Sequence, residues 1–176
     1  MRKIVAGFAS SLDGYIEGAH GEYDWILIDK EIDFSEQMKR FDAFLFGRRS
    51  YEMVLSMGNK ASQGITNYVI SNTLNSAAEN FTLIRNDIGK QIGALKQQQG
   101  KDIAVFGGAT LLASLLDLHL VDEISVAVIP VLLGQGKPMV DRLTNKVWLS
   151  FISNKVYENG TVQLTFAVTY SDKESN

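Results

Sequence analysis

The stretch that decides the fold reads Asp102-Ile103-Ala104-Val105-Phe106-Gly107-Gly108-Ala109-Thr110-Leu111-Leu112. A short apolar run ends at the glycine pair, and a segment rich in good helix formers begins at Ala109. This pattern predicts a buried strand, a tight turn and a helix whose first turn starts at the glycines. Backbone N–H groups at such a helix start suit a phosphate. Taken alone, however, a Gly-Gly pair is more typical of a simple tight connection.

A second turn of the same kind lies earlier in the chain. The sequence Gly47-Arg48-Arg49-Ser50 follows the predicted strand 43–46 and opens a predicted helix. Parallel strands bring such turns to one edge of the sheet, where nucleotides bind. Two guanidinium groups and a hydroxyl match phosphate oxygens. The alternative is a solvated arginine pair, which the helix dipole disfavours by about 0.3–1 kcal/mol.

A third polar turn, Ser71-Asn72-Thr73, ends the predicted strand 67–71. Its side chains could hydrogen-bond a ribose or a ribose phosphate. Polar residues after a strand are nevertheless common in sites that bind nothing.

The order of predicted elements indicates the fold class. Strands and helices alternate up to about residue 118, which predicts a mostly parallel sheet. Three β-type runs follow at 123–131, 147–158 and 161–170, and Asn159-Gly160 is a strong hairpin signal between the last two. We therefore expect an α/β mixed sheet, mostly parallel with an antiparallel C-terminal hairpin and helices on both faces. It forms a single domain over 1–170, followed by a polar tail at 171–176.

Two segments between the first strand and residue 41 concern function. Residues 10–28 predict a long loop, a length that is usually functional in a compact domain. The apolar spacing of Phe34, Met38 and Phe41 predicts a helix over 31–40 with one apolar stripe.

Composition excludes several classes of function. The net charge is −3 and no Lys/Arg run occurs among the 176 residues, which argues against nucleic acid as a partner. Without cysteine, and with His20 and His119 far from any partner at ligand spacing, no metal site is expected. No segment approaches the roughly 18 apolar residues of a membrane span, and the first residues lack a signal-type apolar run. A cytoplasmic protein with no membrane partner is therefore expected.

The chain resembles the dihydrofolate reductase superfamily, in particular the branch of the C-terminal reductase domain of bacterial riboflavin biosynthesis. The motifs that carry the resemblance follow the family's order and span about residues 3–170. They are Ala9–Ile16, Asp42–Glu52, Val105–Leu112, Leu120–Glu123 and Pro130–Pro138.

The resemblance implies NADPH as the cofactor, and the paired arginines favour it over NADH because a 2′-phosphate adds charge that they can pair. The pyrophosphate and the 2′-phosphate would be held by Gly47, Arg48, Arg49 and Ser50. The adenosine end would lie along Ser71, Asn72 and Thr73. The implied backbone donors to the pyrophosphate are Gly107, Gly108, Ala109, Thr110 and Leu111. The residues flanking the nicotinamide would be Ala9 and Ile16.

The resemblance says less about the substrate. In dihydrofolate reductases a carboxylate on the first helix holds the pterin ring, and the candidates here are Asp29, Glu31 and Asp33. We take Glu31 as the expected catalytic and substrate-binding carboxylate; the alternative is a first-turn acid that stabilises a helix. In the riboflavin branch Asp13 and Trp25 lie near the substrate, so Asp13 is the second catalytic candidate. An Asp before Gly14 is also a natural turn former.

Departures from the family pattern bear on the substrate. Tyr23 stands in place of a serine of the riboflavin reductases, and Ile32 and Phe34 occupy the region of the arginines that grip a phosphoribosyl group. A phosphoribosylated pyrimidine is therefore not the expected substrate.

The resulting hypothesis is an NADPH-dependent oxidoreductase that resembles dihydrofolate reductase and 5-amino-6-(5-phosphoribosylamino)uracil reductase. It would act as a homodimer on a small pterin- or aminopyrimidine-like heterocycle. The alternatives are a non-catalytic nucleotide-binding module and a dimeric structural protein that retains only the fold.

Overall fold

A computed structural model describes residues 1–58 and 64–170 of the chain. The strands in these ranges are β1 (Ile4–Ser11), β2 (Tyr15–Glu17), β3 (Phe41–Gly47), β4 (Thr66–Ile70), β5 (Phe81–Ile84), β6 (Asp102–Phe106), β7 (Glu123–Ile129), β8 (Lys137–Pro138), β9 (Trp148–Val156) and β10 (Val162–Thr169). The helices are α1 (Phe34–Met38), α2 (Arg48–Ser56), α3 (Ile88–Gln97) and α4 (Ala109–Asp117). The tail predicted at 171–176 lies outside the described residues.

One eight-stranded sheet organises these elements, in the order β5-β4-β3-β6-β1-β7-β10-β9. The six strands from β5 to β7 are parallel, whereas β10 is antiparallel to both β7 and β9. The β9–β10 hairpin turns at Asn159-Gly160, and Gly160 has a φ of +83°, which glycine adopts without strain. The predicted mixed sheet with an antiparallel C-terminal hairpin is confirmed.

Helices cover both faces of the sheet. Ile92 of α3 and Leu115 of α4 pack in one core with Leu45. Tyr51 of α2 packs in a second core with Phe46. Because side chains of successive strand residues point to opposite faces, the neighbours Leu45 and Phe46 place these two cores on either side of β3.

Part of the predicted loop at 10–28 is regular structure. β1 runs on to Ser11, and β2 pairs antiparallel with β8 in a separate two-stranded sheet. Gly14 turns the chain with a φ of +86°, and the Ser11 hydroxyl accepts the backbone N–H of Tyr15 at 3.0 Å. The prediction missed β2 because its pairing partner lies about 120 residues away.

The predicted helix at 31–40 is shortened to α1. The Asp29 carboxylate accepts the backbone N–H of Glu31 at 2.9 Å, which holds a turn where the helix was expected to begin. Asp33 then acts as the N-cap, because its side chain accepts the N–H of Glu36 at 3.0 Å. α1 has no buried residue, so the Phe34 and Met38 stripe does not pack into a core.

The longest described helix, α3, has ten residues. Within 1–58 and 64–170, no helix therefore has the length and hydrophobicity that crossing a membrane requires.

Candidate functional site

The two strand-to-helix turns lie side by side. A Cβ added at Gly107 would lie 2.5 Å from Leu111 Cδ2 and 3.3 Å from the backbone nitrogen of Gly47. Glycine at 107 therefore allows the close approach of the two turns. The N-caps of α2 and α4 are Gly47 and Gly108, neither of which has a side chain to cap the first-turn N–H groups. We call the two turns, 47–50 and 107–110, the two-turn edge.

A cavity of about 550 Å³ opens beside the start of α4. Arg49, Ala109 and Thr110 contribute to its lining. Among the described residues, no ion pair or side-chain hydrogen bond engages the exposed Arg49 guanidinium. Lys137 enters from β8 and pairs with Glu17 at 2.8 Å. Its Nζ would be 3.1 Å from a Cβ added at Gly108, so it lies directly over the turn. Sequence reasoning missed Lys137, which the β2–β8 pairing brings there.

The arginine that precedes Arg49 connects α2 to the third turn. Arg48 Nη1 donates to Thr73 Oγ1 at 2.8 Å, and Arg48 Nε donates to Glu52 at 2.7 Å. The buried Ser71 hydroxyl accepts the N–H groups of Thr73 and Leu74 at 3.2 and 3.1 Å. The structure thus brings together the predicted residues of the first and third turns, with Ser50 in the first turn of α2.

A further cation, Arg85, lies behind this turn at the end of β5. Its Nη2 donates to the carbonyl oxygen of Asn72 at 3.2 Å, while the Asn72 side chain accepts the N–H of Asn86. Arg85 Nε is buried and has no hydrogen-bond partner in the described part of the chain. No local sequence pattern marks this residue, because the β4–β5 pairing sets its position.

A second, apolar cavity of about 590 Å³ lies over the middle of the sheet. Phe44 both lines it and packs on the α2 core, so this cavity shares the face of α2. The apolar residues that line it come from β1, β3, β6, β7 and the segment 26–41, and include Val5, Ala9, Ile26, Leu27, Ile28, Ile32, Phe34, Met38, Phe44, Phe106, Ala127 and Ile129. Leu27 is 64% exposed and Phe34 48% exposed, so apolar side chains remain open to solvent at the segment 26–41. The predicted apolar stripe of Phe34, Met38 and Phe41 therefore lines this cavity.

One wall of the apolar cavity is polar. Gln163 donates to the Ser125 hydroxyl at 2.9 Å and accepts the Tyr157 hydroxyl at 2.8 Å, and Ser125 lies 3.4 Å from the Thr165 hydroxyl. Thr161 lines the same cavity and is 1% exposed. Its hydroxyl has no hydrogen-bond partner among the described residues.

An ion network ends the cavity at the amino edge of the sheet. Arg40 binds Glu123 through two hydrogen bonds of 2.6 and 2.9 Å and binds Asp102 at 2.8 Å. The Glu123 side chain is only 7% exposed. The Arg40 guanidinium lowers the pKa of Glu123, and Glu123 in turn raises the pKa of Arg40. Both groups therefore stay charged and paired.

The predicted catalytic residue Asp13 clamps a loop. Its carboxylate accepts the Ser11 hydroxyl at 2.7 Å and the N–H groups of Gly134 and Leu133 at 2.7 and 3.1 Å. The Ser11 hydroxyl, with these amides, lowers the pKa of Asp13 below its ordinary value. Asp13 is therefore an ionised acceptor, and its catalytic role stays a prediction.

The candidate carboxylates before α1 are also engaged. Glu31 is exposed and lies 3.8 Å from Lys155 Nζ, whereas Asp29 is buried and accepts the N–H of Asn159 at 3.0 Å. With Asp33 as the N-cap of α1, none of the three is among the residues that line the apolar cavity. The α1 carboxylate that does line it is Glu36, which pairs with Lys39.

Of the remaining predicted residues, only Ala9 lines one of the two described cavities. Ala9 lines the apolar cavity, and Ile16 is half-buried in β2. Trp25 is half-buried and donates its indole N–H to the carbonyl oxygen of Glu22 at 3.2 Å. Across the described ranges, no group of three His, Asp or Glu side chains is arranged to hold a metal ion.

Known proteins share both the sequence pattern and the fold. The family model of the RibD C-terminal domain matches residues 2–163. The uncharacterized protein YyaP of Bacillus subtilis (strain 168) is 31% identical over 177 residues, which covers 94% of each chain.

Solved structures give the same result. A protein of Shewanella sp. PV-4 named for riboflavin biosynthesis is 26% identical with a TM-score of 0.83, covering 95% of this chain and 99% of its own. Dihydrofolate reductase from Enterococcus faecalis, complexed with NADP(H), is 16% identical with a TM-score of 0.66, covering 95% and 96%. The latter likeness concerns the fold alone. The chain belongs to the RibD C-terminal domain family and has the dihydrofolate-reductase-like fold.

Proposed function

We propose that this protein is an NADPH-dependent reductase that transfers a hydride to a C=N or C=O bond of a small heterocycle held in the apolar cavity. The observation that carries the proposal is the adjacency of two different sites. Phe106, which lines the apolar cavity, is followed directly by Gly107 of the two-turn edge. An anion site and an apolar ring site thus meet at the end of β6. We propose the cytoplasm as the compartment.

The residues of the two-turn edge fit the phosphates of NADPH. Because Gly108 has no side chain, the space between the start of α4 and the Lys137 ammonium is not filled by a Cβ. An anion in that space could accept from the N–H groups of the first turn. Arg49, without a partner in the described ranges, supplies a free guanidinium in the same cavity. Arg48 and Thr73 would hold the ribose and its 2′-phosphate.

The reaction is a two-electron reduction. NADPH, when bound, supplies a hydride that adds to the carbon of the C=N or C=O bond, and a proton adds to the nitrogen or oxygen. The cavity aligns the ring and excludes bulk water from its floor. Solvent at the open mouth supplies the proton, and Asp13 and Glu31 stay the predicted residues that steer it.

Fluorescence titration with NADPH and with NADH tests the cofactor assignment. We expect micromolar affinity for NADPH and about tenfold weaker binding of NADH, since the 2′-phosphate adds a charge-assisted contact. Arg48→Gln should remove most of that preference, whereas Lys155→Gln on β9 should keep it. Equal affinities for the two cofactors in the wild type would contradict the assignment.

Turnover tests the reductase assignment. NADPH oxidation is followed at saturating cofactor with dihydrofolate, lumazine and an aminouracil ribonucleoside. We expect at least one ring compound to be reduced. Tight NADPH binding with no oxidation by any member of the panel would favour a non-catalytic nucleotide-binding module instead. The hydrogen bonds that occupy Asp13 are the observation that keeps this second candidate open.

We also propose that the protein forms a homodimer through β9. This edge strand exposes Trp148, Leu149, Phe151, Ile152 and Val156, and Phe151 is 59% exposed. An exposed apolar edge strand is normally covered by a partner. Light scattering should give twice the 19.5 kDa chain mass, and Phe151→Glu should give the monomer. A monomeric wild type at tens of micromolar would contradict the proposal.

A further inference from the structure

We propose that the apolar cavity selects an uncharged, flat ring compound without a phosphate, and that the Thr161 hydroxyl hydrogen-bonds the edge of that ring. This inference rests on the proposed function, because it names the substrate class of the same cavity.

The size and walls of the cavity define a small aromatic ligand. Its volume of about 590 Å³ falls in the range of small-molecule sites. The rings of Phe44 and Phe106 stack with their centroids 6.4 Å apart, and both residues line the cavity. Phe34 and Leu27, in the segment 26–41 that lines the cavity opposite the sheet, remain exposed to solvent. Apolar side chains on both sides favour a flat ring whose faces carry no charge.

The charges of the cavity are already neutralised. Arg40 is the lining cation in the described ranges, and its charge is paired with Glu123 and Asp102, which accept from Nε, Nη1 and Nη2. A phosphate would therefore find no free guanidinium or ammonium within this cavity. The lining carboxylates are Glu123, paired with Arg40, and Glu36, paired with Lys39. A cationic amidine edge would thus also lack a free partner.

Thr161 is the polar group beside the cavity whose hydrogen bonding the protein leaves incomplete. Buried polar atoms in folded proteins almost always have a hydrogen-bond partner. The neighbouring Gln163, Ser125 and Thr165 satisfy one another, but the Thr161 hydroxyl is buried without a partner among the described residues. A hydroxyl both donates and accepts, so it can bind a ring carbonyl or a ring N–H. A ligand edge in the cavity would complete its hydrogen bonding.

Calorimetric titration of the wild type, saturated with NADP⁺, tests the substrate class with matched ligands. Lumazine is compared with 2,4-diaminopteridine, which has the same ring and an amidine edge, at a slightly acidic pH where lumazine is uncharged. The aminouracil ribonucleoside is compared with its 5′-phosphate. We expect the uncharged and the phosphate-free member of each pair to bind at least tenfold more tightly. The opposite preference in either pair, or no binding of lumazine at millimolar concentration, would overturn the inference.

Two variants test the role of Thr161. Thr161→Val removes the hydroxyl and should weaken lumazine binding about 3- to 10-fold, while NADPH affinity stays unchanged. It should also raise the melting temperature slightly, because an unpaired buried hydroxyl is lost. Thr161→Ser should bind lumazine nearly as the wild type does. Wild-type affinity in Thr161→Val would overturn the role of this residue.

The reductase assignment and the substrate class can be contradicted by different results. Titration with lumazine reports on the cavity whether or not turnover occurs. Loss of NADPH binding or of NADPH oxidation would count against the reductase, whereas the wrong ligand preference would count against the substrate class.

Discussion

The two-turn edge and the apolar cavity lie on the same sheet but are built in different ways. The two-turn edge consists of backbone N–H groups at the starts of α2 and α4, with unpaired Arg49 beside them. The apolar cavity consists of side chains from five strands and the segment 26–41, and its charged residues are already paired. One region thus presents unsatisfied donors to solvent, while the other presents apolar surface beside one buried, unpaired hydroxyl.

Under the proposed function, this difference assigns two binding tasks to separate parts of one sheet. Anion binding depends on donors that short local motifs create, so it tolerates change in distant side chains. Ring selection depends on alternate residues of β1, β7 and β10, which face the cavity together because strand side chains alternate. Substitutions in one region should therefore leave the other nearly unaffected.

Among the variants that remove a side-chain contact, the largest expected effect comes from Arg49. Arg49→Gln removes the unpaired guanidinium at the two-turn edge, and a charge-assisted contact of about 1.5–3 kcal/mol corresponds to roughly 10- to 100-fold weaker NADPH binding. Lumazine affinity should not change, because Arg49 does not line the apolar cavity. Fluorescence titration and calorimetry measure the two affinities. An equal loss of both would show that the two regions are not separate.

The next largest effect concerns the Arg40–Glu123 ion pair, which lies at the end of the apolar cavity near the amino edge of the sheet. Arg40→Met leaves Glu123 buried without its main partner and should lower the free energy of unfolding by about 2 kcal/mol, less than for a fully buried pair because Arg40 is partly exposed. Lys39→Met, which breaks an exposed pair, is the matched control and should change stability by less than about 0.5 kcal/mol.

The pH dependence of this effect has a definite sign. The pKa of Glu123 is lowered from 4.5 by Arg40, so the pair stabilises the fold above that pH. The stabilisation is lost as the pH falls below 4.5 through the lowered value. Urea unfolding should therefore show a gap between wild type and Arg40→Met that is full at neutral pH and narrows in acid. A gap that widens in acid would contradict the ion-pair account.

The smallest expected effect tests the close approach of the two turns. Gly107→Ala places a methyl group against Leu111 and the backbone nitrogen of Gly47, which should cost about 1 kcal/mol of stability. Gly93→Ala on α3, where a Cβ would meet nothing within 4 Å, should not destabilise the fold. Thermal unfolding compares the two variants, and equal melting temperatures would show that the turns have room to separate.

The same contrast explains what could be predicted from the sequence. Local sequence patterns predict strand β6, the Gly107-Gly108 turn, helix α4 and the Asn159-Gly160 hairpin. The structure has all of these elements at the expected positions. Arg48 and Thr73 come together because parallel strands carry their turns to one edge. These parts follow from short-range patterns and one rule of topology.

The parts that escaped prediction depend on distant pairing. Lys137 reaches the two-turn edge through β8, and Thr161 reaches the cavity through the register of β10 with β7. The Phe34 and Met38 stripe has the spacing of a core helix, but the N-cap at Asp33 shortens α1 and leaves the stripe facing the cavity. Periodicity alone does not distinguish a face that packs on protein from one that awaits a ligand.

The central claim is that NADPH binds at the two-turn edge, and titration of the wild type and Gly108→Glu with NADPH tests it most directly. Gly108 has ordinary backbone angles, and an added Cβ would meet only the flexible end of Lys137, so the variant should fold normally. We predict micromolar affinity in the wild type and a loss of at least 100-fold in Gly108→Glu, with unchanged lumazine binding. Equal NADPH affinity in the two proteins, or none in either, would contradict the account.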